Sequence, residues 1–146
     1  MQQFVHQKSR ALSQDEMERF VKGHSYGRLG LCLESEPYVV PVAYGYEQGK
    51  IYFHSAREGK KLDLIRKNNR VCFQVDEWQE GWASVICYGR ASLTEDVEEK
   101  QRCFEILTGQ KLSEEHFQNV KACIGIIPVE EMTGRCSADF SLECED

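Results

Sequence analysis

The stretch Pro37-Tyr-Val-Val-Pro-Val-Ala-Tyr-Gly-Tyr46 limits the fold of this chain more than any other. It is built from β-branched and aromatic residues, which favour a pleated, half-buried strand. Pro41 offers no amide hydrogen to a ladder, so it belongs at a strand edge or a bulge. Glu47-Gln-Gly-Lys50 follows as a turn, with a glycine free to take a positive φ. Ile51-Tyr-Phe-His-Ser55 then returns as the second arm of a hairpin. Alternation puts Ile51, Phe53 and Ser55 on one face, and Tyr52 and His54 on the other.

Further strands are expected at Arg28 to Leu33, at Val71 to Asp76 with Val71, Phe73 and Val75 inward, at Ala83 to Leu93, and at Ala122 to Met132. The last is apolar on both faces at Ile124, Ile126, Ile127 and Val129. Ser13-Gln-Asp-Glu16 is a capping box and predicts a helix from about Gln14 to Lys22. Gly23 and Gly27 bracket the turn after it. A second helix is expected from Lys60 to Asn69, with Leu62 and Ile65 on its apolar stripe. A third is expected from about Glu95 to Leu107, capped by Thr94, and a short one after Ser113. The expectation is mainly β with inserted helices: a six-stranded antiparallel split β-barrel in one domain, 1–146. The acidic tail from Ser137 to Asp146 is expected to be less ordered.

The net charge of -6 argues against nucleic acid and acidic membranes as partners, so any anion site must be a local basic patch. The first fourteen residues lack the apolar segment of a secretory signal, and no apolar run approaches the ~20 residues of a membrane span. A cytoplasmic protein is expected. The seven cysteines form no Cys-x-x-Cys pair and have no histidine at zinc-finger spacing, and His6, His24 and His116 show no ligand spacing. They read as reduced thiols, with no metal site.

The chemistry is concentrated in His54-Ser-Ala-Arg-Glu-Gly-Lys-Lys61. It leaves a strand, turns at Gly59 and opens a helix. A helix N-terminus carries partial positive charge and free amides, and usually attracts acidic residues. Here Lys60 and Lys61 stand there instead, at a cost of ~0.3–1 kcal/mol each. A bound phosphate would reverse that sign, with Ser55 and Arg57 as possible further donors. The competing reading is a solvated basic helix face. Neither a Walker loop nor Gly-x-Gly-x-x-Gly is present.

Four blocks in order, Pro37 to Tyr44, His54 to Lys61, Arg70-Val-Cys-Phe73 and Ser84-Val-Ile-Cys-Tyr-Gly-Arg-Ala91, resemble the FMN-binding split-barrel superfamily of pyridoxamine 5'-phosphate oxidases. The likeness is greatest to the subgroup related to nitroimidazole-resistance proteins, which the late Ile127-Pro-Val-Glu-Glu-Met-Thr-Gly134 also matches. The resemblance covers roughly Tyr26 to Arg135. It implies FMN as cofactor and a homodimer with two sites at its interface. It also implies that the main chain of Val40, Pro41, Val42, Ala43 and Tyr44 meets the flavin ring, that His54 and Ser55 lie along the flavin and its ribityl-phosphate arm, that Lys60 and Lys61 bind the phosphate, and that Ser84 and Val85 touch the cofactor from the neighbouring strand. The oxidases of this family carry a longer C-terminal segment than this chain shows after Gly134, so their own reaction is not expected.

The expected function is an FMN-dependent oxidoreductase of a small molecule, with NAD(P)H as an electron donor and nitro-compound reduction as one version. The alternative is a non-catalytic flavin- or haem-binding carrier or sensor, with a deazaflavin user ranked last. His54 reads either as a proton donor or as a strand histidine packed on Tyr52. Trp78 and Trp82 read as a substrate wall, a dimer contact or ordinary packing. Tyr44 and Tyr46 read as barrel core or flavin wall.

Overall fold

A computed structural model describes residues 8–142. The chain enters through a short strand β1 (Ser9–Ala11) and helix α1 (Gln14–Lys22). The capping box forms: Ser13 Oγ accepts from the Glu16 amide at 3.2 Å, and a Glu16 carboxylate oxygen accepts from the Ser13 amide at 3.0 Å. Strands β2 (Tyr26–Leu33) and β3 (Glu36–Ala43) pair antiparallel around Glu34 and Ser35, both at positive φ. β4 (Gly45–Glu47) and β5 (Lys50–Ser55) form the expected hairpin. Its turn residues Gln48 and Gly49 have φ of 50° and 77°, a twist that matches the flanking strands.

Helix α2 (Lys60–Lys67) leads into the long hairpin β6 (Arg70–Trp78) and β7 (Trp82–Arg90). Then come β8 (Ser92–Thr94), α3 (Val97–Thr108), α4 (Glu114–Phe117) and the fifteen-residue β9 (Cys123–Ser137). The pairing path is β3-β2-β6-β7-β9-β5-β4, with β1 and β8 also on β9, and every pairing is antiparallel. β9 pairs β5 through its first half and β7 through its second, so one strand joins two halves of an open sheet. The sheet curls round a main core that takes Leu29 from β2, Phe53 from β5, Phe73 from β6, Val85 from β7 and Ile127 from β9, with a smaller cluster of Tyr52, Cys103 and Ile124 under α3. This is the split-barrel architecture.

Several expectations need correction. The described residues hold nine strands, not six. The three extra ones, β1, β4 and β8, have three residues each. The extended run from Pro37 to Tyr46 is broken at Tyr44. That ring is buried edge-on against Phe73, its hydroxyl donates to the Val21 carbonyl, and its amide donates to Ser25 O. The chain turns this corner from one end of the pairing path to the other. Gly45 follows because α3 presses on it: a Cβ there would lie 2.2 Å from Ile106 Cγ2.

The third helix starts later than expected, because Asp96 rather than Thr94 caps it. The Asp96 carboxylate accepts from the Glu99 amide at 3.3 Å, while Thr94 ends β8 opposite Ile124. The expected long strand to Leu93 is interrupted at Ala91, whose amide donates to Asn69 O. The start of the acidic tail is packed: Ser137 Oγ accepts from the Trp82 amide, and Phe140 lies edge-on to Phe20. Residues 143–146, including Cys144, and residues 1–7 lie outside the described residues.

Four described cysteines are buried, and burial pushes the Cys87 and Cys103 thiols up to about 12. Cys32 is exposed on β2. A thiol reagent should therefore label Cys32 in the native protein and reach Cys87 and Cys103 only after unfolding. Peptide mapping checks this, and native labelling of Cys87 would be incompatible with the core described above.

Candidate functional site

The site begins where β5 runs out. Ser55 ends the strand opposite Cys123, and Ala56 to Gly59 carry the chain over to α2. Gly59 sits at the cap position with φ of 143°, a conformation closed to side chains bearing a Cβ. No side chain caps α2, so the amides of its first turn stay available at the positive end of the helix.

Lys60 and Lys61 stand on that turn. The Lys60 ammonium lies 4.8 Å from the Tyr38 ring centroid, and that of Lys61 lies 5.8 Å from the Phe53 ring. Lys61 is half-buried, and burial lowers its pKa. Among the described residues, neither lysine has a carboxylate within ion-pair distance. Arg57, expected as a further donor, is committed elsewhere: its Nε lies 2.6 Å from a Glu95 oxygen. That ion pair ties the loop before α2 to the start of α3.

β3 is an edge strand, so every second residue of Val40 to Ala43 turns its peptide groups away from β2. Pro41, with no amide hydrogen, sits opposite Arg28. The Val40 and Val42 side chains point toward the core, while Pro41 and Ala43 are exposed. Tyr44 lies just past this edge, with its side chain spent on the core and its amide donating to Ser25 O.

The pleat of β5 separates His54 from the lysine heads. Phe53 faces the barrel core, whereas the His54 ring lies on Phe104 of α3, with centroids 5.8 Å apart and planes 22° apart. The imidazole packs on Phe104, not on Tyr52, which is buried with Cys103 and Ile124.

Along the pairing path Ser84 and Val85 on β7 lie three strands from β3, which carries Tyr38, and two from β5, which carries Phe53. Val85 is sealed in the core. Ser84 faces outward and accepts from Gln74 Nε2 at 3.1 Å. The sequence did not reveal the Tyr38 ring beneath Lys60, the Arg57–Glu95 pair or Phe104 beneath His54. Each joins residues far apart in the chain, and only the strand order brings them together. Among the described residues no group of three or more His, Cys, Asp or Glu side chains is placed to hold a metal ion, and no helix is long and apolar enough to cross a membrane.

The arrangement resembles known proteins over most of its length. The family model described as pyridoxamine 5'-phosphate oxidase matches residues 13–136. A FAD-binding protein from Mesorhizobium loti is 28% identical, with a TM-score of 0.76 over 89% of this chain and 99% of its own. A candidate 5-nitroimidazole antibiotic resistance protein from Bacteroides thetaiotaomicron is 26% identical, with a TM-score of 0.79 over 90% of this chain and 89% of its own. An uncharacterized protein of Rhizobium meliloti (strain 1021) is 32% identical over 83 residues, 56% of this chain and 54% of that protein. The match thus spans about half the length of that curated relative.

Proposed function

Because the chain belongs to the pyridoxamine 5'-phosphate oxidase family, we propose that it binds FMN, with the phosphate at the start of α2, and that it acts as an oxidoreductase on a small molecule. One observation carries this reading. A half-buried ammonium, Lys61, has no carboxylate partner among the described residues and sits at the positive end of a helix. Each of those features is unfavourable alone, and one dianionic phosphate relieves both. The name of the Mesorhizobium relative supports a flavin. A single pair of cations at one helix end suits the terminal monophosphate of FMN better than the diphosphate of FAD. Releasing the ligand by denaturation and weighing it distinguishes the two, and recovery of no flavin from a protein that also takes up none removes the proposal.

A bound flavin would supply electron transfer between a reduced donor, such as a nicotinamide, and a small acceptor. The chain's own residues do the rest. Lys60 and Lys61 would hold the phosphate together with the free amides of α2, and Ser55, at the end of β5, would lie along the ribityl-phosphate arm. The edge peptides of Val40 to Ala43 would face the ring, with Tyr44 turning the corner beside them. His54 is the candidate for proton transfer, and its seat on Phe104 places it on the α3 side of β5.

We assign Ser84 and Val85 to the cofactor of a second copy. A homodimer with two sites at its interface is part of the same reading; Ser84 faces outward from β7, whereas Val85 has only its main chain to offer, since its side chain is buried in the core. The name of the Bacteroides relative makes nitro compounds the first acceptors to test.

The lysine chemistry fixes the sign of the pH dependence. Burial places the Lys61 pKa below the usual lysine range. FMN affinity should be flat near neutrality and weaken as pH rises through that lowered value, because a neutral amine no longer balances the phosphate. The cofactor-free protein should show the opposite slope, gaining stability through the same window as the buried charge is lost. Lys61→Arg, which stays charged, should keep its affinity at alkaline pH. Fluorescence titration across pH measures this, and a flat profile in the parent protein would place the phosphate away from Lys61.

A further inference from the structure

The ion pair between Arg57 and Glu95 stands in the loop that leads into α2, and it is weak by construction. Arg57 Nε lies 2.6 Å from a Glu95 oxygen, but the two side chains are 50% and 48% exposed. An exposed pair of this kind shifts an equilibrium by a factor of only about 1.5–5. Either partner returns to water without stranding a buried charge. The main chain of Arg57 is held separately, because Arg66 Nη2 donates to its carbonyl at 3.5 Å. The guanidinium is therefore free to move while the loop stays in place.

The local strand pairing shows which way the cation is drawn. Ser55, two residues before Arg57, lies opposite Cys123, and Thr94, next to Glu95, lies opposite Ile124. β5 and β8 thus flank the first residues of β9, and Glu95 draws the guanidinium across them. In the other direction stands the start of α2. Arg57 precedes the cap Gly59 by two residues and Lys60 by three. Three residues span at most about 11 Å, a distance that an arginine side chain can double back across. A phosphate held there by Lys60 and Lys61 offers Arg57 better terms than Glu95 does. It carries up to two negative charges against one, and its oxygens match the planar fork of a guanidinium. A hydrogen bond to such a charged group is worth about 10–150-fold in affinity, against about 1.5–5 for the exposed pair.

We propose that Arg57 is a third ligand of the FMN phosphate, held in reserve by Glu95: when FMN binds, the guanidinium leaves Glu95 for the phosphate, and the tie between the loop and the start of α3 opens. This rests on the reading that seats the phosphate at α2. Glu95 is then a positioning residue. It sets the affinity for FMN without touching the cofactor, by competing with the phosphate for the same cation.

A double-mutant cycle tests the exchange. The cofactor-free full-length protein, Arg57→Ala, Glu95→Gln and the double variant are each titrated with FMN, and with riboflavin, which has the same ring and no phosphate. Arg57→Ala should weaken FMN binding by roughly 5–30-fold. Glu95→Gln should tighten it by about 2–5-fold, because the competitor is gone. In the Arg57→Ala background, Glu95→Gln should change nothing, and riboflavin should bind all four proteins alike. A tie that only holds the loop in shape gives the opposite sign: Glu95→Gln weakens FMN, and riboflavin follows it. That result overturns the exchange. So does a Glu95→Gln variant with unchanged FMN affinity, or a gain that persists without Arg57. If the four proteins bind FMN alike while Lys60→Ala/Lys61→Ala loses it, the flavin reading stands and the role of Arg57 falls. If none of them takes up FMN, both fall.

Discussion

Replacing Lys60 and Lys61 together by alanine should lower FMN affinity by roughly 10²–10⁴-fold, since two charge-assisted contacts of ~1.5–3 kcal/mol each are lost. The lower end is expected if the two cations share one phosphate and their effects overlap. Stability should move the other way. The cofactor-free protein carries two ammonium groups at the positive end of α2, one of them half-buried. Removing them relieves ~0.3–1 kcal/mol apiece, so the cofactor-free variant should melt no lower than its parent. Calorimetric titration and thermal unfolding together check both signs. Equal FMN affinity in parent and variant would move the phosphate elsewhere. Lower affinity accompanied by a large drop in Tm would make the lysines structural rather than ligand-binding.

The second large effect lies in the core. Phe73 is fully buried on β6, edge-on to Tyr44 with centroids 4.9 Å apart, and it fills the space above Gly27, where a Cβ would meet its ring at 2.4 Å. Phe73→Ala should cost about 3–5 kcal/mol. Against a total of ~5–15 kcal/mol this is a large share. For a domain of this size it corresponds to a fall in Tm of about 6–20 °C. The Tyr44 corner, where the chain leaves β3 for β4, loses its support at the same time. Urea unfolding followed by circular dichroism measures the change, and a loss below ~1 kcal/mol would mean that Phe73 does not span the core as described.

Where a signal was local and repeated, the sequence showed it. The alternation in β5 sorted Ile51 and Phe53 from Tyr52 and His54, and the structure covers both sides, one with the barrel core and the other with α3. The glycine in Glu47-Gln-Gly-Lys50 marked the hairpin turn, and Ser13 with Glu16 marked the first helix start. Strands of three residues have no period to detect, so β1 was invisible, and β4 and β8 showed only as the ends of longer expected strands. At the start of α3, Thr94 and Asp96 are both good capping residues, and only the pairing of Thr94 with Ile124 decides between them. Phe140 is a single apolar residue in a polar tail, and its partner Phe20 is 120 positions away in the chain.

The candidate site divides along the same line. The odd helix start at Lys60 and Lys61 was legible because the cap, the helix and the cations are contiguous. The Arg57–Glu95 clamp and the rings beneath the lysines depend on strand order, which no window of sequence contains. The Trp78–Trp82 stack is intermediate: the short loop between them suggested a pair, but the anchoring by Asp76 and Ser137 needed the fold.

The central claim is a flavin phosphate seated on Lys60 and Lys61 at the start of α2. The most direct measurement is a spectrophotometric titration of the cofactor-free protein with FMN, run beside the Lys60→Ala/Lys61→Ala variant. The account predicts saturation at one FMN per chain, with a shifted flavin spectrum in the parent and no saturation in the variant over the same range. An FMN spectrum unperturbed by the parent protein, or parent and variant saturating alike, would contradict it.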